Sequence, residues 1–210
     1  PNRPTHNLVK QTFASTSAAS DSYALILGTQ EPASVITDCH VDGHGASWGL
    51  KMPGNVGSVI TDTYISGGSE RALDVVQGHD LAFKGCTFLA GADRPATKSR
   101  WSMAKTCDIG IKGGAFNVSF ADCSMTDLLL GDHSIYDNGH PWNVGTPTKG
   151  ISLVNCTHPA GKSTPIILRV LNAELPTLVN TNAVALKYWG GAVKVYFWAA
   201  GKWIDSRVEV

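Results

Sequence analysis

The sequence predicts an all-β fold: a right-handed, single-stranded parallel β-helix (solenoid) of about seven coils with two loop insertions. The first observation is a degenerate repeat of about two dozen residues, in which two apolar-x-apolar segments flank a polar turn and a Cys or Thr follows. The second is that each apolar segment is short and alternates with a period of two, which is typical of strands. The third is that Gly, Asn and Asp stand between the segments, where turns need them.

The Cys and Thr positions that close each repeat, here called the anchors, set the predicted register. They are Cys39, Thr63, Cys86, Cys123, Cys156 and Thr181. Strands that recur once per repeat must pair in parallel with their counterparts in the next repeat, and connections between parallel strands are right-handed in nearly all proteins. One such unit cannot bury its apolar face alone, so the copies are expected to stack.

The repeat divides the chain into three parts. Residues 1–22 are polar and rich in Ser and Thr, and they predict an N-terminal cap or arm, with either a short helix or an extended segment at 7–13. The β-helix is predicted over 23–198, and 199–210 form a C-terminal cap or tail.

Within the β-helix, the first three coils occupy 23–41, 49–65 and 72–88. Insertions at 89–106 and 127–150 then interrupt the period before the register returns. The segment from Val193 to Trp198 alternates and is strongly aromatic. With Tyr188, Trp189 and Trp203 it would either plug the C-terminal end of the solenoid or form a subunit contact.

The composition excludes several partners. Charged residues make up 16% of the chain, below the usual quarter or so. Seventeen acidic and seventeen basic side chains cancel, so nothing favours nucleic acid or an anionic membrane. No apolar stretch of about 18 residues predicts a transmembrane helix, and the first residues lack the pattern of a signal peptide. The start at Pro1 fits either a complete cytoplasmically made protein or a trimmed fragment.

The five cysteines do not have the pattern of a disulfide framework, because four of them occupy the anchor position. These four are predicted to be free thiols that face the interior, whereas Cys107 lies outside the register. No Cys/His spacing indicates zinc.

The residue before each anchor is polar or Gly. These residues are Asp38, Asp62, Gly85, Asp122, Asn155 and Asn180. They form either a row of carboxylates along one edge or, as we favour, a row of bends, because Asp and Asn bond their own backbone and tolerate left-handed conformations.

The second insertion is the strongest candidate for a binding or catalytic site. It contains Asp132, His133, Tyr136, Asp137, His140 and Trp142. Rings that stack and polar groups that orient hydroxyls are what a sugar site needs. Asp132 and Asp137, with His133, are weak candidates for acid and base, or the carboxylates would bind Ca²⁺ as the one cofactor considered. The alternative is a folded surface loop whose polar groups bond each other.

The first insertion offers a second candidate. Arg94, Lys98 and Arg100 stand beside Trp101, and cations next to an indole would recognise acidic sugars. The alternative is a solvated loop with Trp101 packed against the protein.

Known catalytic signatures of β-helix enzymes are incomplete in this sequence. Residues 42–45 read DGHG, and polygalacturonase-type glycosidases carry a Gly-His-Gly motif. The other motifs of those enzymes are missing, as is the set of Arg and calcium-binding acids of pectate lyases. The match at 42–45 is therefore interpreted as a coincidence.

Several segments resemble known proteins: ALDVVQGHDLAFKGCTF at 72–88, IKGG at 111–114, LGDHSIYD at 130–137 and LRVLNAE at 168–174. Within the pectate-lyase-like right-handed β-helix superfold, they resemble short β-helix proteins of bacteriophages and environmental bacteria that have no assigned function. The resemblance implies a virion-associated or surface β-helix, assembled as a homotrimer or with other virion proteins. Its location would be the virion, or the host cytoplasm during assembly, with an extracellular location as the alternative.

Three functions follow as hypotheses. The first is a structural or attachment protein that contacts a cell-surface glycan. The second is a polysaccharide lyase or glycoside hydrolase that acts on an extended polysaccharide. The third is a scaffold without a ligand.

Overall fold

The computed structural model describes residues 7–10, 23–28, 33–43, 46, 48–67, 71–90, 107–131, 146–171, 173–189 and 192–206. In chain order its strands are β1 (Asn7–Lys10), β2 (Tyr23–Ile26), β3 (Val35–Thr37), β4 (Cys39–Asp42), β5 (Trp48–Pro53), β6 (Val59–Thr61), β7 (Tyr64–Gly67), β8 (Arg71–Val76), β9 (His79–Lys84), β10 (Thr87–Ala90), β11 (Ile109–Lys112), β12 (Phe116–Ala121), β13 (Asp127–Leu130), β14 (Lys149–Val154), β15 (Ile166–Val170), β16 (Thr177–Val179), β17 (Ala183–Trp189), β18 (Ala192–Ala199) and β19 (Lys202–Asp205). No helix that could span a membrane occurs in these residues.

Over the described residues the strands form three sheets, and the chain visits them in rotation. The nine-stranded sheet has the order β19-β18-β17-β15-β13-β11-β8-β5-β2, the six-stranded sheet β16-β14-β12-β9-β6-β3, and the four-stranded sheet β1-β4-β7-β10. Up to β17, neighbouring strands of each sheet pair in parallel and come from successive turns of the chain. This is the topology of a parallel β-helix, so the predicted all-β fold with parallel sheets is confirmed.

The core is built from rows of equivalent residues. One row in the nine-stranded sheet is Leu50, Leu73, Ile109, Leu128 and Leu168, all fully buried. Burying each such side chain contributes about 1.5–3 kcal/mol.

Aromatic rings stack in the same way across the six-stranded sheet. The rings of Phe83 and Phe120 lie parallel with their centroids 5.0 Å apart. Phe88 packs edge-on against both. Offset or edge-on aromatic pairs add about 0.5–1.5 kcal/mol beyond the area that they bury.

The anchors form an interior row, as predicted. Thr63, Cys86, Cys123, Cys156 and Thr181 are buried, whereas Cys39 at the start of the row is only half-buried. Thr181 Oγ1 accepts a hydrogen bond from the backbone N–H of Cys156 at 3.0 Å, and the hydroxyl donates to backbone carbonyls. All five cysteines are free thiols.

The residues before the anchors form bends rather than an acidic active edge. Asp38, Asp62, Gly85, Asp122, Asn155 and Asn180 all have φ between 47° and 64°. Asp and Asn accept this left-handed conformation better than other residues with a side chain. The structural interpretation of this row is therefore confirmed.

Two sequence predictions about elements are corrected. Residues 127–130 belong to β13 in the nine-stranded sheet, and Lys149 and Gly150 begin β14, so 127–150 is not a single insertion. Strand β13 was missed because all four of its residues are buried and no alternation marks it. The remaining parts of the two predicted insertions, 91–106 and 132–145, lie outside the described residues.

The two ends differ from the middle of the solenoid. Asn7–Lys10 is extended and pairs in parallel with Cys39–Asp42, so no helix begins there. At the other end, β18 and β19 run antiparallel, and the side chains of Tyr196, Trp198 and Trp203 pack against the core. That packing is what a plug requires. The domain boundaries at 22 and 198 stay predictions.

Candidate functional site

The residues that the sequence singled out for chemistry fall outside the described part of the chain. They are Arg94, Lys98, Arg100, Trp101, Asp132, His133, Tyr136, Asp137, His140 and Trp142. Their roles stay predictions. Two other places in the described residues concentrate polar side chains: the outer face of the nine-stranded sheet and a cleft at the C-terminal end.

The outer-face network is a group of buried and half-buried charges that comprises Arg71, Asp74, Asp108, Lys112, Asp127 and Arg169. Alternation places Asp74 and Arg169 on the outer face. Leu73 and Val75 point into the core, so Asp74 between them points outward. The same holds for Arg169, between Leu168 and Val170.

The first half of the network centres on Asp74. Its carboxylate binds the guanidinium of Arg71, three residues earlier on the same strand, and both side chains are almost fully buried. The ammonium of Lys112, on the neighbouring strand, lies 3.5 Å from the other carboxylate oxygen of Asp74. Gly110 makes room for this arrangement, because a Cβ there would lie 2.8 Å from Nε of Arg71.

The second half joins three strands through two carboxylates. Asp108 accepts hydrogen bonds from the backbone N–H groups of Ala90, at 2.7 Å, and Thr126, at 2.6 Å. The N–H of Asp108 itself donates to Asp127 Oδ1 at 2.7 Å. Asp127 Oδ2 accepts from Arg169 Nη2 at 2.5 Å.

These partners determine what the network can do. Asp74 is paired with Arg71 and Lys112 and Asp127 with Arg169, whereas Asp108 is bound by backbone donors on both oxygens. A buried pair that loses one member is strongly destabilised. Both oxygens of each carboxylate contact a donor from the protein itself, so these groups are engaged within the fold rather than by a substrate. The outer-face network is therefore a scaffold that ties β10, β11 and β13 together.

Cys107 lies beside the network and shares its dry environment. The residue is fully buried and its Sγ donates to the carbonyl of Ile109 at 3.1 Å. Burial raises the pKa of the Cys107 thiol to about 11, with Arg71 opposing the effect and Asp127 adding to it. The thiol is thus protonated and unreactive at neutral pH.

The cleft arises where two sheets end at different heights. The six-stranded sheet ends at β16, whereas the nine-stranded sheet continues through β17, β18 and β19. The resulting step encloses about 360 Å³, within the size range of small-ligand sites. We call it the Trp198 cleft. It is lined by Cys156, Thr157, His158, Lys162, Thr164, Asn180, Thr181, Asn182 and Trp198.

One wall of the cleft is a supported indole ring. Trp198 pairs across the strands with Trp203, and the two rings meet edge to face with centroids 5.3 Å apart. Trp203 Nε1 in turn donates to the carbonyl of Pro176 at 2.8 Å. The Trp198 ring is therefore fixed before any ligand arrives.

The opposite wall is the turn over residues 158–164. Asn182 secures it by donating from Nδ2 to the carbonyls of Lys162, at 3.2 Å, and Ser163, at 3.1 Å. His158 Nδ1 accepts the N–H of Ala160 at 3.0 Å. The neutral imidazole therefore carries its proton on Nε2, as a donor.

A ladder of side-chain amides ends at the cleft. Asn155 Nδ2 donates to Asp122 Oδ1 at 3.1 Å, and Asn180 Nδ2 donates to Asn155 Oδ1 at 3.2 Å. Each rung supplies the acceptor for the next rung. Asn180 is the last rung in the described residues and is part of the lining of the cleft.

The described residues contain no group of three or more His, Cys, Asp or Glu side chains arranged to hold a metal ion. Among those same residues, none that lines the Trp198 cleft is Asp or Glu. The charged side chain of the cleft is the ammonium of Lys162.

Comparisons with known proteins add little to this description. The chain matches no protein-family model and no curated protein. Among solved structures it is similar to the tailspike protein gp49 from Pseudomonas phage LKA1, with 16% sequence identity and a TM-score of 0.37. The match covers 74% of this chain but only 28% of the tailspike. The assignment of the fold comes from the sheet topology.

Sequence reasoning missed both places for different reasons. The sequence predicts either a plug or a subunit contact for the segment that contains Trp198, and nothing in it shows that one sheet ends before another. Arg71 and Asp74 do have a signal, since charged residues in a strand that is otherwise apolar suggest a buried pair.

Proposed function

We propose that this chain is a virion-associated β-helix protein of the kind found in bacteriophages, with a structural or attachment role and contact with cell-surface glycans. The fold would be a right-handed, pectate-lyase-like β-helix of about seven coils. The working form would be a homotrimer, alone or with other virion proteins.

The outer-face network carries the preference for attachment over catalysis. Glycosidases place two carboxylates about 5–10 Å apart around the scissile bond, and one of them must exchange a proton. Here Asp74, Asp108 and Asp127 hold cations and backbone N–H groups instead. A face whose carboxylates are tied to neighbouring strands gives a rigid surface, as an attachment protein needs.

The interior thiols fit assembly inside a cell. A row of buried, free cysteines at the centre of the solenoid suits a reducing compartment, where thiols persist. A particle component made in a host cytoplasm would fold there before release.

The test is a binding screen that also detects cleavage. The purified chain is labelled and exposed to a panel of bacterial lipopolysaccharides and capsular polysaccharides, and the products are assayed for new reducing ends and unsaturated sugars. We expect binding of at least one polysaccharide without cleavage. Depolymerisation would replace the proposal by the lyase or hydrolase alternative, and absence of binding across the panel would overturn the attachment role.

A further inference from the structure

We infer that the Trp198 cleft is a saccharide site that takes a pyranose ring bearing a carboxylate. This inference rests on the proposed function, because it names the glycan class and the place where the glycan is held. The residues that carry it are His158, Lys162, Asn180, Asn182 and Trp198.

The shape of the cleft suits a sugar ring. A hexose presents C–H groups on its faces, so it stacks on the face of an aromatic ring. An aromatic ring that is already held in position suits this contact. Trp198 supplies such a ring, and the contact with Trp203 holds it in position. Trp203 is itself held by its hydrogen bond to the carbonyl of Pro176. Stacking a sugar on Trp198 therefore costs little conformational entropy of the Trp198 side chain.

The polar groups suit ring hydroxyls. His158 offers a donor at Nε2, because Nδ1 is already an acceptor for Ala160. Asn182 has both Nδ2 bonds directed to the turn, so its Oδ1 is left to accept. Asn180 likewise uses Nδ2 within its ladder and offers Oδ1. Donors and acceptors of fixed direction are what distinguish one hydroxyl pattern from another.

The charge of the cleft selects an acidic sugar. Lys162 places an ammonium in the lining of the cleft, and no described residue of the lining carries a carboxylate. A sugar carboxylate would form a charge-assisted hydrogen bond with that ammonium, which is about twice as strong as a neutral one. A neutral sugar would gain only a hydrogen bond from Lys162 to a hydroxyl oxygen, without the attraction between opposite charges.

The experiment uses the full chain and two probes of equal length, tetragalacturonate and maltotetraose. Binding is followed by saturation-transfer NMR and by tryptophan fluorescence. We expect tetragalacturonate to bind the wild type more tightly than maltotetraose. Lys162→Glu should weaken tetragalacturonate binding at least tenfold and weaken maltotetraose binding far less.

Lys202→Glu is the matched control, since Lys202 is also an exposed lysine and the change in net charge is the same. Trp198→Ala should abolish binding of both probes, with Trp198→Phe as the variant that keeps an aromatic ring and the packing. Lys162 and Lys202 lie at an exposed turn position and an exposed strand position. The comparison of the two Lys→Glu variants therefore does not depend on whether the fold tolerates the loss of Trp198.

The outcomes separate this inference from the proposed function. If tetragalacturonate binds and neither Lys162→Glu nor Trp198→Ala weakens it, the site lies elsewhere and the attachment role stands. If maltotetraose binds as well as tetragalacturonate, the acidic class is wrong. If neither probe binds while the polysaccharide panel does give binding, the cleft inference fails and the proposed function survives.

Discussion

At the scale of the residue, the anchor position has room for a small side chain only. Cys86 lies in the row between Thr63 and Cys123, and its Sγ is 3.4 Å from the carbonyls of Ile60 and Lys84. Replacing Cys86 with Phe should overpack the row and cost about 1–3 kcal/mol of unfolding free energy. Cys86→Ala should be mild, and Cys86→Thr should also be accepted because Thr occupies two other anchors.

Urea denaturation of the three Cys86 variants measures these differences. Equal stability of Cys86→Ala and Cys86→Phe would mean that the thiol does not face the interior. Cys86→Ala also removes the weak hydrogen bond of the thiol, so the informative result is that Cys86→Phe costs more than Cys86→Ala.

Cys107 gives a prediction about alkaline pH. Burial raises the pKa of its thiol from an ordinary 9.0 to about 11. A raised pKa means that the folded state holds the proton more tightly than the unfolded state does, so the stabilisation is complete below about pH 9. It is lost as the pH rises from about 9 through 11, and a shift of this size corresponds to about 2–3 kcal/mol.

The measurement is the free energy of unfolding at pH 8, 9.5 and 10.5 for the wild type and for Cys107→Ala. The wild type should lose stability more steeply above pH 9, whatever the absolute cost of the substitution. Parallel pH profiles for the two proteins would show that Cys107 titrates alike in the folded and unfolded states.

Some residue-scale features follow from the sequence because they are local. The left-handed bends at Asp38, Asp62 and Asn155 depend on a conformation that Asp and Asn accept for their own reasons. The partners of Asp108 and Arg169 are not local. They lie on neighbouring rungs, whose separation in sequence changes with each insertion.

At the scale of the element, the carboxylate of Asp108 links two strands by accepting hydrogen bonds from their backbone. It holds the last residue of β10 and the residue before β13. Asp108→Ala would leave the N–H groups of Ala90 and Thr126 without this acceptor, and each buried unsatisfied donor costs about 1–3 kcal/mol. Asp108→Asn keeps one acceptor oxygen and should cost less.

Hydrogen exchange locates this effect. The amides of Ala90 and Thr126 should lose protection in Asp108→Ala more than the amides of β12, which the substitution does not touch. Asp38→Asn serves as the control, because Asp38 is exposed and has a left-handed φ of 51° that Asn also accepts. Unchanged exchange at Ala90 and Thr126 would contradict the assigned role.

Elements that alternate could be predicted, and those that do not alternate could not. Strands such as β9 and β12 show one buried and one open face, so period two reveals them. Strand β13 is buried on both faces and was assigned to an insertion. The repeat therefore predicts the sheets, but it does not reveal strands whose outer face is also buried.

At the scale of the whole molecule, the solenoid follows from the repeat but its C-terminal step does not. The Trp198 cleft exists because the nine-stranded sheet outlasts the six-stranded sheet, and that difference depends on β18 turning back antiparallel to β17. The residues after β17 carry no repeat that would set the direction of β18. A cleft that depends on the difference in length between two sheets cannot be recognised from the sequence of any single strand.

The antiparallel strands at this end also present an apolar outer face. Val193, Phe197 and Ile204 are 45%, 48% and 37% exposed. Residues two apart share a face, and Phe197 pairs with Ile204, so all three lie on one side of the sheet. Exposed apolar side chains grouped in this way are typical of a subunit contact.

We therefore expect Phe197→Lys to weaken the proposed homotrimer. In light scattering after size exclusion, the wild type should run near three times 22.2 kDa and the variant near one times that mass. Val179→Lys is the matched control, because Val179 is 46% exposed but lies on the six-stranded sheet. A wild type that is monomeric at micromolar concentration would remove the trimer from the proposal, and equal effects of both substitutions would show that charge rather than this face governs assembly.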